Sequence, residues 1–438
     1  MNVVFATTCK GRVQHLAQTL PRNIADNPNA RFVVLDYNDP GELRKYLLDL
    51  NHDHGFVRNG RLIVYEYRDG GPFRMAHAKN MAHRCAMLEG GDILVNVDAD
   101  NYAGRGFDEW LVRQFQGSSD IFAWPRMVKE GEGRLPKGIS GRIGVSRTSF
   151  LLAGGYDEKY TTHSPDDKDF DARLRRLGID RREIPPHFLQ AILHNDKMRF
   201  KDYPHALTAA VGEESAISPD ATVVNGGNIG CGKVWRNFGP EPIEIKPLPC
   251  RIFGIGLHKT GTTSLHHAFQ ILGFKSAHWQ TAPWAKTVWR EATQNGKSAA
   301  LEKFYCACDL PIALVYQQLD RAYPGSKFVL TVRDEWSWLT SVRKHWMPEF
   351  NQFRYLWDED VFTHRLHNML YGRKDFYPTT MLERYRRHNA EVIEYFKGRE
   401  QDLLVMDMEK GRHGWRELCG FLGLTVPNEP YPHMLKTK

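Results

Sequence analysis

The stretch Arg251-Ile252-Phe253-Gly254-Ile255-Gly256-Leu257-His258-Lys259-Thr260-Gly261-Thr262-Thr263-Ser264-Leu265 decides the fold. Its apolar start, Arg251–Ile255, reads as a buried strand, and a helix is predicted from about Thr262 to Leu272. The glycine-containing loop between them, Gly256–Ser264, points successive backbone N–H groups and a helix N-terminus at one place, which makes an anion cradle. An NTPase phosphate loop ends in Gly-Lys-Ser/Thr. Here Lys259 precedes Gly261 and hydroxyls fill 262–264, so the order departs from that pattern. A second strand, Lys327–Val332, runs into Arg333 and Asp334, a helix follows from about Ser337, and Ser341 lies eight residues beyond Arg333. A guanidinium and a hydroxyl beside a helix suit a phosphate dianion.

This combination resembles the P-loop sulfotransferases that use 3'-phosphoadenosine-5'-phosphosulfate (PAPS). Further matches are Cys308-Asp309-Leu310-Pro311, Tyr323-Pro324-Gly325-Ser326-Lys327 and Gly414-Trp415-Arg416-Glu417-Leu418-Cys419-Gly420-Phe421-Leu422-Gly423, so the resemblance covers about residues 250–438. It implies a P-loop α/β domain with a parallel sheet. It also implies that Lys259, Thr260, Gly261, Thr262, Thr263 and Ser264 bind the 5'-phosphosulfate and that Arg333 and Ser341 bind the 3'-phosphate. Sulfuryl transfer is mainly positioning and charge stabilisation. Lys259 would stabilise the bridging oxygen, and Asp309 or His278 would deprotonate the acceptor hydroxyl, with no metal required.

Upstream, strand and helix patterns alternate. Val3–Ala6, Arg31–Leu35, Arg61–Tyr67 and Asp92–Val97 read as strands, and Val13–Ile24, Gly41–Leu50 and Arg74–Leu88 as helices. That order implies a mostly parallel sheet covered on both faces, with ligands at the carboxyl ends of its strands. Asp98-Ala99-Asp100 leaves such a strand end, and two carboxylates one residue apart can hold a hard divalent cation against a diphosphate. Asp36 ends the second strand, where a base-reading acid would sit, and Arg74, Lys79 and Asn80 lie on the helix before the acidic pair. Ser164-Pro165-Asp166-Asp167 reads equally as a helix start, with Ser as N-cap, Pro in the first position and acids in the first turn.

Together with Gly154-Gly155-Tyr156-Asp157, the run through Phe170-Asp171-Ala172-Arg173-Leu174, and Leu193-His194-Asn195, these features resemble family 2-type GT-A glycosyltransferases over about residues 1–240. The resemblance implies a Rossmann-like, nucleotide-diphospho-sugar transferase fold with an inverting mechanism. In it Asp167 is the general base, Asp98, Asp100 and His194 are ligands to Mn²⁺ or Mg²⁺, and Asp36, Arg74, Lys79, Asn80 and Asp98 bind the donor. Thr7-Thr8-Cys9-Lys10-Gly11-Arg12 lacks the proline of the family's usual opening, and Asp166 replaces its more usual Glu.

The whole chain therefore reads as α/β in two parts, 1–240 and 250–438, joined over 241–249 by a proline-rich, semi-stiff linker. Its 438 residues suit two domains, and 42% apolar with 25% charged residues is an ordinary globular composition. The net charge of +7 suits anionic nucleotide substrates. It also suits an anionic membrane surface, so peripheral membrane contact stays open, whereas scattered Lys and Arg argue against nucleic acid. Seven cysteines without a CxxC pair fit a reducing compartment, and Cys306 and Cys308 fall on one face of a strand as core residues. No apolar run approaches a membrane span and the start lacks a basic-then-apolar leader, so a cytoplasmic location is expected. Trp336, Trp338 and Trp346 read mostly as core, and His364 and His367 as surface or packing residues. The expected function is bifunctional: glycosyl transfer from a nucleotide sugar to a glycan or glycolipid, and sulfation of a carbohydrate hydroxyl. The alternatives are a sulfotransferase with a non-catalytic carbohydrate-binding module and a P-loop NTPase or kinase; the sugar, acceptor and oligomeric state are not specified by sequence.

Overall fold

The computed structural model describes residues 1–125, 138–161, 165–192, 222–346, 361–373, 375–407 and 412–434. The chain divides into two compact units, Met1–Pro247 and Leu248–Lys438.

In the N-terminal unit the strands are β1 (Val3–Cys9), β2 (Arg31–Tyr37), β3 (Leu62–Tyr67), β4 (Ile93–Asn96), β5 (Asn101–Tyr102), β6 (Ile121–Pro125), β7 (Gly144–Ser146), β8 (Asp180–Ile184), β9 (Gln190–Ala191), β10 (Gly232–Arg236) and β11 (Pro242–Ile245). Nine of them form one sheet in the order β11-β10-β3-β2-β1-β4-β7-β6-β8. β3, β2, β1 and β4 are parallel, while β7 and β10 run against their neighbours. The central strands are apolar nearly throughout because both faces are covered. On one face Phe5, Phe32, Val34, Val64 and Val95 pack against Leu16, Leu20, Leu43, Leu47, Phe107 and Leu111 from three helices. On the other lies the helix Met75–Leu88, whose buried side includes Ala78, Met81, Ala82 and Cys85.

The proline-rich segment read as a linker is, over Pro242–Ile245, an edge strand paired antiparallel with β10. Its Pro-Ile-Glu-Ile pattern alternates, and proline is tolerated at the first residue of an edge strand, where its missing N–H breaks no ladder.

The C-terminal unit has five parallel strands, β12 (Ile252–Gly254), β13 (Ser276–His278), β14 (Cys306–Cys308), β15 (Lys327–Val332) and β16 (Leu403–Asp407), in the order β13-β14-β12-β15-β16. β12 sits between β14 and β15, so the loop leaving it emerges at mid-sheet, beside the residues that leave its two neighbours. Cys306 and Cys308 are buried core residues. Trp338 and Trp346 are buried, but Trp336 is 72% exposed, because it lies on the outward side of the helix Glu335–Trp346.

Candidate functional site

The sheet order of the C-terminal unit brings the separated pieces of its motif to one cavity of about 360 Å³. Its wall includes Lys259, Gly261, Thr262, Thr263 and Ser264 from the loop after β12, His278 at the end of β13 and Trp279 after it, Asp309 after β14, and Arg333 and Ser341 after β15. The loop turns into the helix Thr262–Ile271 through Gly261, at φ 105°. The first-turn N–H groups of a helix have no intrahelical acceptor, so they face the cavity with the favourable end of the helix dipole. Lys259, Trp279 and Asp309 all have positive φ (67°, 36° and 70°). Each costs roughly 1–3 kcal/mol where a side chain is present, and three such residues around one cavity mark it as a built site.

The loop lies tight against β15. A Cβ on Gly256 would fall 2.0 Å from Thr331 Oγ1 and 2.5 Å from its carbonyl oxygen. Thr260, expected to hold phosphate, has its side chain turned inward: Oγ1 bonds the Leu257 carbonyl at 2.6 Å and Thr331 Oγ1 at 2.6 Å. Its hydroxyl braces the loop to the sheet, which the spacing of residues did not reveal. Tyr385, which sequence reading passed over, clamps Arg333 by accepting from its N–H at 2.8 Å and donating to its carbonyl at 2.7 Å. Tyr385 stacks on Trp338, and Trp338 Nε1 donates to the carbonyl of His258 at 3.0 Å, tying the start of the loop to the Arg333 turn.

The two candidate bases are neighbours: His278 Nε2 is 3.2 Å from Asp309 Oδ2 and 3.1 Å from Thr262 Oγ1. Burial and the Arg333 charge lower the pKa of Lys259, against the opposing pull of Asp309. A recess of about 300 Å³ on the other side of Arg333 and Ser341 is lined by Asp334, Trp336, Ser337, Thr340 and Lys344. His345 and His367 also line the main cavity; His367 is a packing residue against Trp346 as well as a wall residue.

In the N-terminal unit, Lys79 bridges the adjacent acids Asp166 and Asp167. It is 3% exposed, and its Nζ is 2.7 Å from Asp166 Oδ2 and 2.7 Å from Asp167 Oδ1. Both acids stand in the first turn of the helix Asp166–Arg176, where the dipole favours them. A Cβ on Gly141 would lie 2.8 Å from Asp98 Oδ2 and 3.2 Å from Asp167 Oδ2, so Gly141 is the gap between these two carboxylates. Burial, then the charge of Asp166, pushes the Asp167 pKa up to about 7 against the pull of Lys79. Burial and the Asp100 charge also raise Asp98, which receives one amide bond, from Asn96 Nδ2 at 3.1 Å. Asp100 receives Asn101 Nδ2 at 2.7 Å and pairs with Arg12 at 3.3 Å.

Other predicted positions are placed differently. Asp36 is buried at the end of β2, accepts from the N–H of Asp39 at 2.9 Å, and is pushed up to about 7 by burial. Arg74 precedes the helix Met75–Leu88 and meets Tyr67 and Asp69 at the end of β3, away from the acidic pair. Asn80 faces neither: its amide hydrogens go to the Tyr156 carbonyl and Glu158, and its oxygen accepts from the Tyr156 N–H, so it holds the Gly154–Glu158 turn. One residue along a helix rotates the side chain by about 100°, which separates Lys79 from Asn80. His194 lies outside the described residues.

For a divalent cation, Asp98 and Asp100 offer the hard oxygen donors expected, and a bound cation would oppose the rise that burial and the Asp100 charge impose on the Asp98 pKa. Among the described residues no three His, Cys, Asp or Glu side chains converge as a ready metal cluster. The same residues contain no helix long and apolar enough to cross a membrane.

The mid-sheet anion loop and the Arg333–Ser341 site opposite it line one cavity suited to an anionic ligand. Residues 251–438 match the family described as "Sulfotransferase domain", and the C-terminal unit is such a domain. A curated relative, Ava biosynthesis cluster protein M of Aspergillus versicolor, is 26% identical over 216 residues, covering 42% of this chain and 80% of that protein. Among solved structures, the chain is similar to a mannosyltransferase from Pyrobaculum calidifontis in complex with GDP-Man and Mn²⁺ (15% identity, TM-score 0.36, 48% of this chain and 65% of that one). It is also similar to TarS of S. aureus (10%, 0.34, 50% and 41%). Glucosyl-3-phosphoglycerate synthase from Mycobacterium tuberculosis, in complex with Mn²⁺, UDP and phosphoglyceric acid, is a third (15%, 0.31, 47% and 76%). The chain thus spans under two thirds of the length of the first two structures.

Proposed function

We propose that the chain is a bifunctional transferase. Its C-terminal unit moves the sulfuryl group of PAPS to a carbohydrate hydroxyl, and its N-terminal unit moves a sugar from a nucleotide sugar to a glycan or glycolipid acceptor. The observation that carries this reading is the convergence of Lys259, Thr262, Thr263, Ser264, Arg333, Ser341 and the His278–Asp309 pair on one cavity.

In the sulfuryl step, the loop N–H groups and the hydroxyls of Thr262, Thr263 and Ser264 hold the 5'-phosphate, and Arg333 with Ser341 holds the 3'-phosphate. His278, paired with Asp309, takes the acceptor proton as the hydroxyl oxygen bonds to sulfur. The S–O bond to the bridging oxygen breaks, and Lys259 balances the charge left on the departing adenosine 3',5'-bisphosphate (PAP).

In the glycosyl step, Asp98 and Asp100, with His194, would hold Mn²⁺ or Mg²⁺, which supplies charge neutralisation to the leaving diphosphate. Asp167 takes the acceptor proton, and Lys79 fixes the direction of its carboxylate. Asp36 reads the base of the nucleotide. Fusing the two activities raises the local concentration of a shared glycan for the second step.

The test is sugar-nucleotide turnover with Mn²⁺ across a donor panel. Because burial raises Asp167 to about 7, the base is protonated at lower pH, so kcat/KM should climb from pH 6 to 8 with a midpoint near 7. Asp167→Asn should reduce turnover by about 10²–10⁴-fold while leaving PAP binding by the other unit unchanged. No turnover with any donor in wild-type protein, or full activity in Asp98→Ala/Asp100→Ala, would remove the glycosyltransferase assignment.

A further inference from the structure

The hydroxyls of the anion loop are not equivalent. A phosphate only accepts hydrogen bonds, so a serine or threonine serves it only with its proton. The Thr260 hydroxyl donates inside the loop, to the Leu257 carbonyl. Those of Thr262 and Thr263 stand 3.1 and 3.4 Å from His278 Nε2. Ser264 differs, because its Oγ accepts at 3.0 Å from the backbone N–H of Met434, 170 residues further along. That bond fills an acceptor position of Oγ and leaves the hydroxyl proton for another partner. Ser264 and Met434 both line the cavity, on the same side as Thr262, Thr263 and His278.

Met434 belongs to residues 424–434, which have neither helix nor strand and run as a strap from the helix Trp415–Leu422 to the cavity. The chain leaves that helix through Gly423, at φ 67°. Trp415 then pins the strap twice. Its Nε1 donates to the Glu429 carbonyl at 2.7 Å, and its ring meets that of Tyr431 edge-on at 5.0 Å. Burial pushes the Tyr431 pKa up, with Cys308 and Cys419 adding to the rise, so the phenol is anchored inside the unit. Pro427, Pro430 and Pro432 each fix one backbone angle and reduce the freedom lost when the strap docks. Only Pro432 and His433 separate the Tyr431 anchor from Met434, so the Met434 N–H is delivered at a fixed place.

We propose that this strap is part of the donor site: the Met434 N–H holds the Ser264 hydroxyl so that its proton is donated to the 5'-phosphate of PAPS. Met434 is a positioning residue that acts through Ser264. The proposal rests on the sulfotransferase reading and adds to the site a segment far from the loop in sequence.

The test compares PAP with adenosine 3'-monophosphate, which keeps the phosphate assigned to Arg333 and Ser341 and lacks the one assigned to Ser264. Calorimetry on the full chain gives both dissociation constants, and the ligand-free thermal transition checks folding. Met434→Pro removes the N–H and leaves Ser264 in place, whereas Met434→Ala keeps the N–H. Met434→Pro should weaken PAP by about tenfold and the 3'-monophosphate by less than about twofold. Met434→Ala should bind PAP at least about fivefold more tightly than Met434→Pro. Adding Met434→Pro to Ser264→Ala should cost no further PAP affinity, because both changes remove one interaction. A second measurement needs no variant: in wild type, deuterium exchange at the Met434 amide should slow with PAP and not with the 3'-monophosphate. Unchanged PAP affinity in Met434→Pro, equal loss of both ligands, or exchange at Met434 that PAP leaves unaltered would overturn the proposal. Wild-type protein that binds neither ligand would instead bring down the sulfotransferase reading, and the proposal with it.

Discussion

Replacing Lys79 with methionine is expected to destabilise the N-terminal unit by about 3–5 kcal/mol, the cost of leaving a buried charge without its partner. Methionine keeps most of the volume, so the loss is electrostatic rather than a cavity. Lys79 is the close ammonium partner of two acids, Asp166 and Asp167, at 2.7 Å each. Without it, both carboxylates are left facing one another and Asp98. The pH dependence identifies the cause. The folded-state pKa of Asp167, already raised by burial above the ordinary carboxylate range, would rise further. A carboxylate raised in the folded state binds more protons there than in the unfolded chain, so its contribution to stability is present below the unfolded pKa and is lost as pH rises through the folded value. The variant should therefore recover stability on going from pH 8 to pH 5 in urea unfolding, and Asp166→Asn with Asp167→Asn should restore part of it at pH 8. Equal destabilisation at both pH values would mean that packing, not charge, is the function of Lys79.

Gly256→Ala should be the most damaging single change in the C-terminal unit. The added methyl would lie 2.0 Å from Thr331 Oγ1, 2.5 Å from the Thr331 carbonyl and 2.8 Å from Thr260 Oγ1. A side-chain hydroxyl can rotate, but the carbonyl belongs to β15 and cannot move without disturbing the sheet. Overpacking of this kind costs typically 1–3 kcal/mol and sometimes more. Because the displaced element is the loop itself, PAP binding should fall further than stability does. Thr331→Ala in the same chain should relieve the closest clash, with Thr331 Oγ1, and leave those with the Thr331 carbonyl and Thr260 Oγ1, giving partial rescue of thermal stability with little return of PAP binding. Wild-type PAP affinity in Gly256→Ala would show that the loop stands clear of β15.

These two sites also show what residue patterns carry and what they do not. The loop of the C-terminal unit was legible because its chemistry is local: strand, glycine-containing turn and hydroxyl-rich helix start occupy consecutive residues, 251–265. Arg333 and Ser341 were legible because the next strand of a parallel sheet delivers them to the same edge. The clamp on Arg333 was not, since Tyr385 is 52 residues away and reaches back from a later helix. Thr260 illustrates a different limit: its position in the loop marks it as a phosphate ligand, yet its hydroxyl is used by Leu257 and Thr331. Lys79 and Asn80 are adjacent in sequence and were assigned one role, but the helix turns them to separate neighbours, one to the acids and one to the Gly154–Glu158 turn. The Pro-Ile-Glu-Ile stretch had a strand's alternation, but its prolines outweighed it in the sequence reading until β10 supplied a partner.

The account stands most directly on binding of PAP by the C-terminal unit. Thermal unfolding of the full chain with and without PAP is the measurement, in wild type and in Arg333→Ala, without any need to know the acceptor. PAP at about 100 times its dissociation constant should stabilise the wild-type unit by about 2.7 kcal/mol, seen as a rise in its Tm. Arg333→Ala should unfold at the wild-type temperature without ligand and lose that rise. A wild-type Tm that PAP leaves unmoved, while ATP raises it, would contradict the assignment and return the Gly256–Ser264 loop to a nucleotide site of another kind.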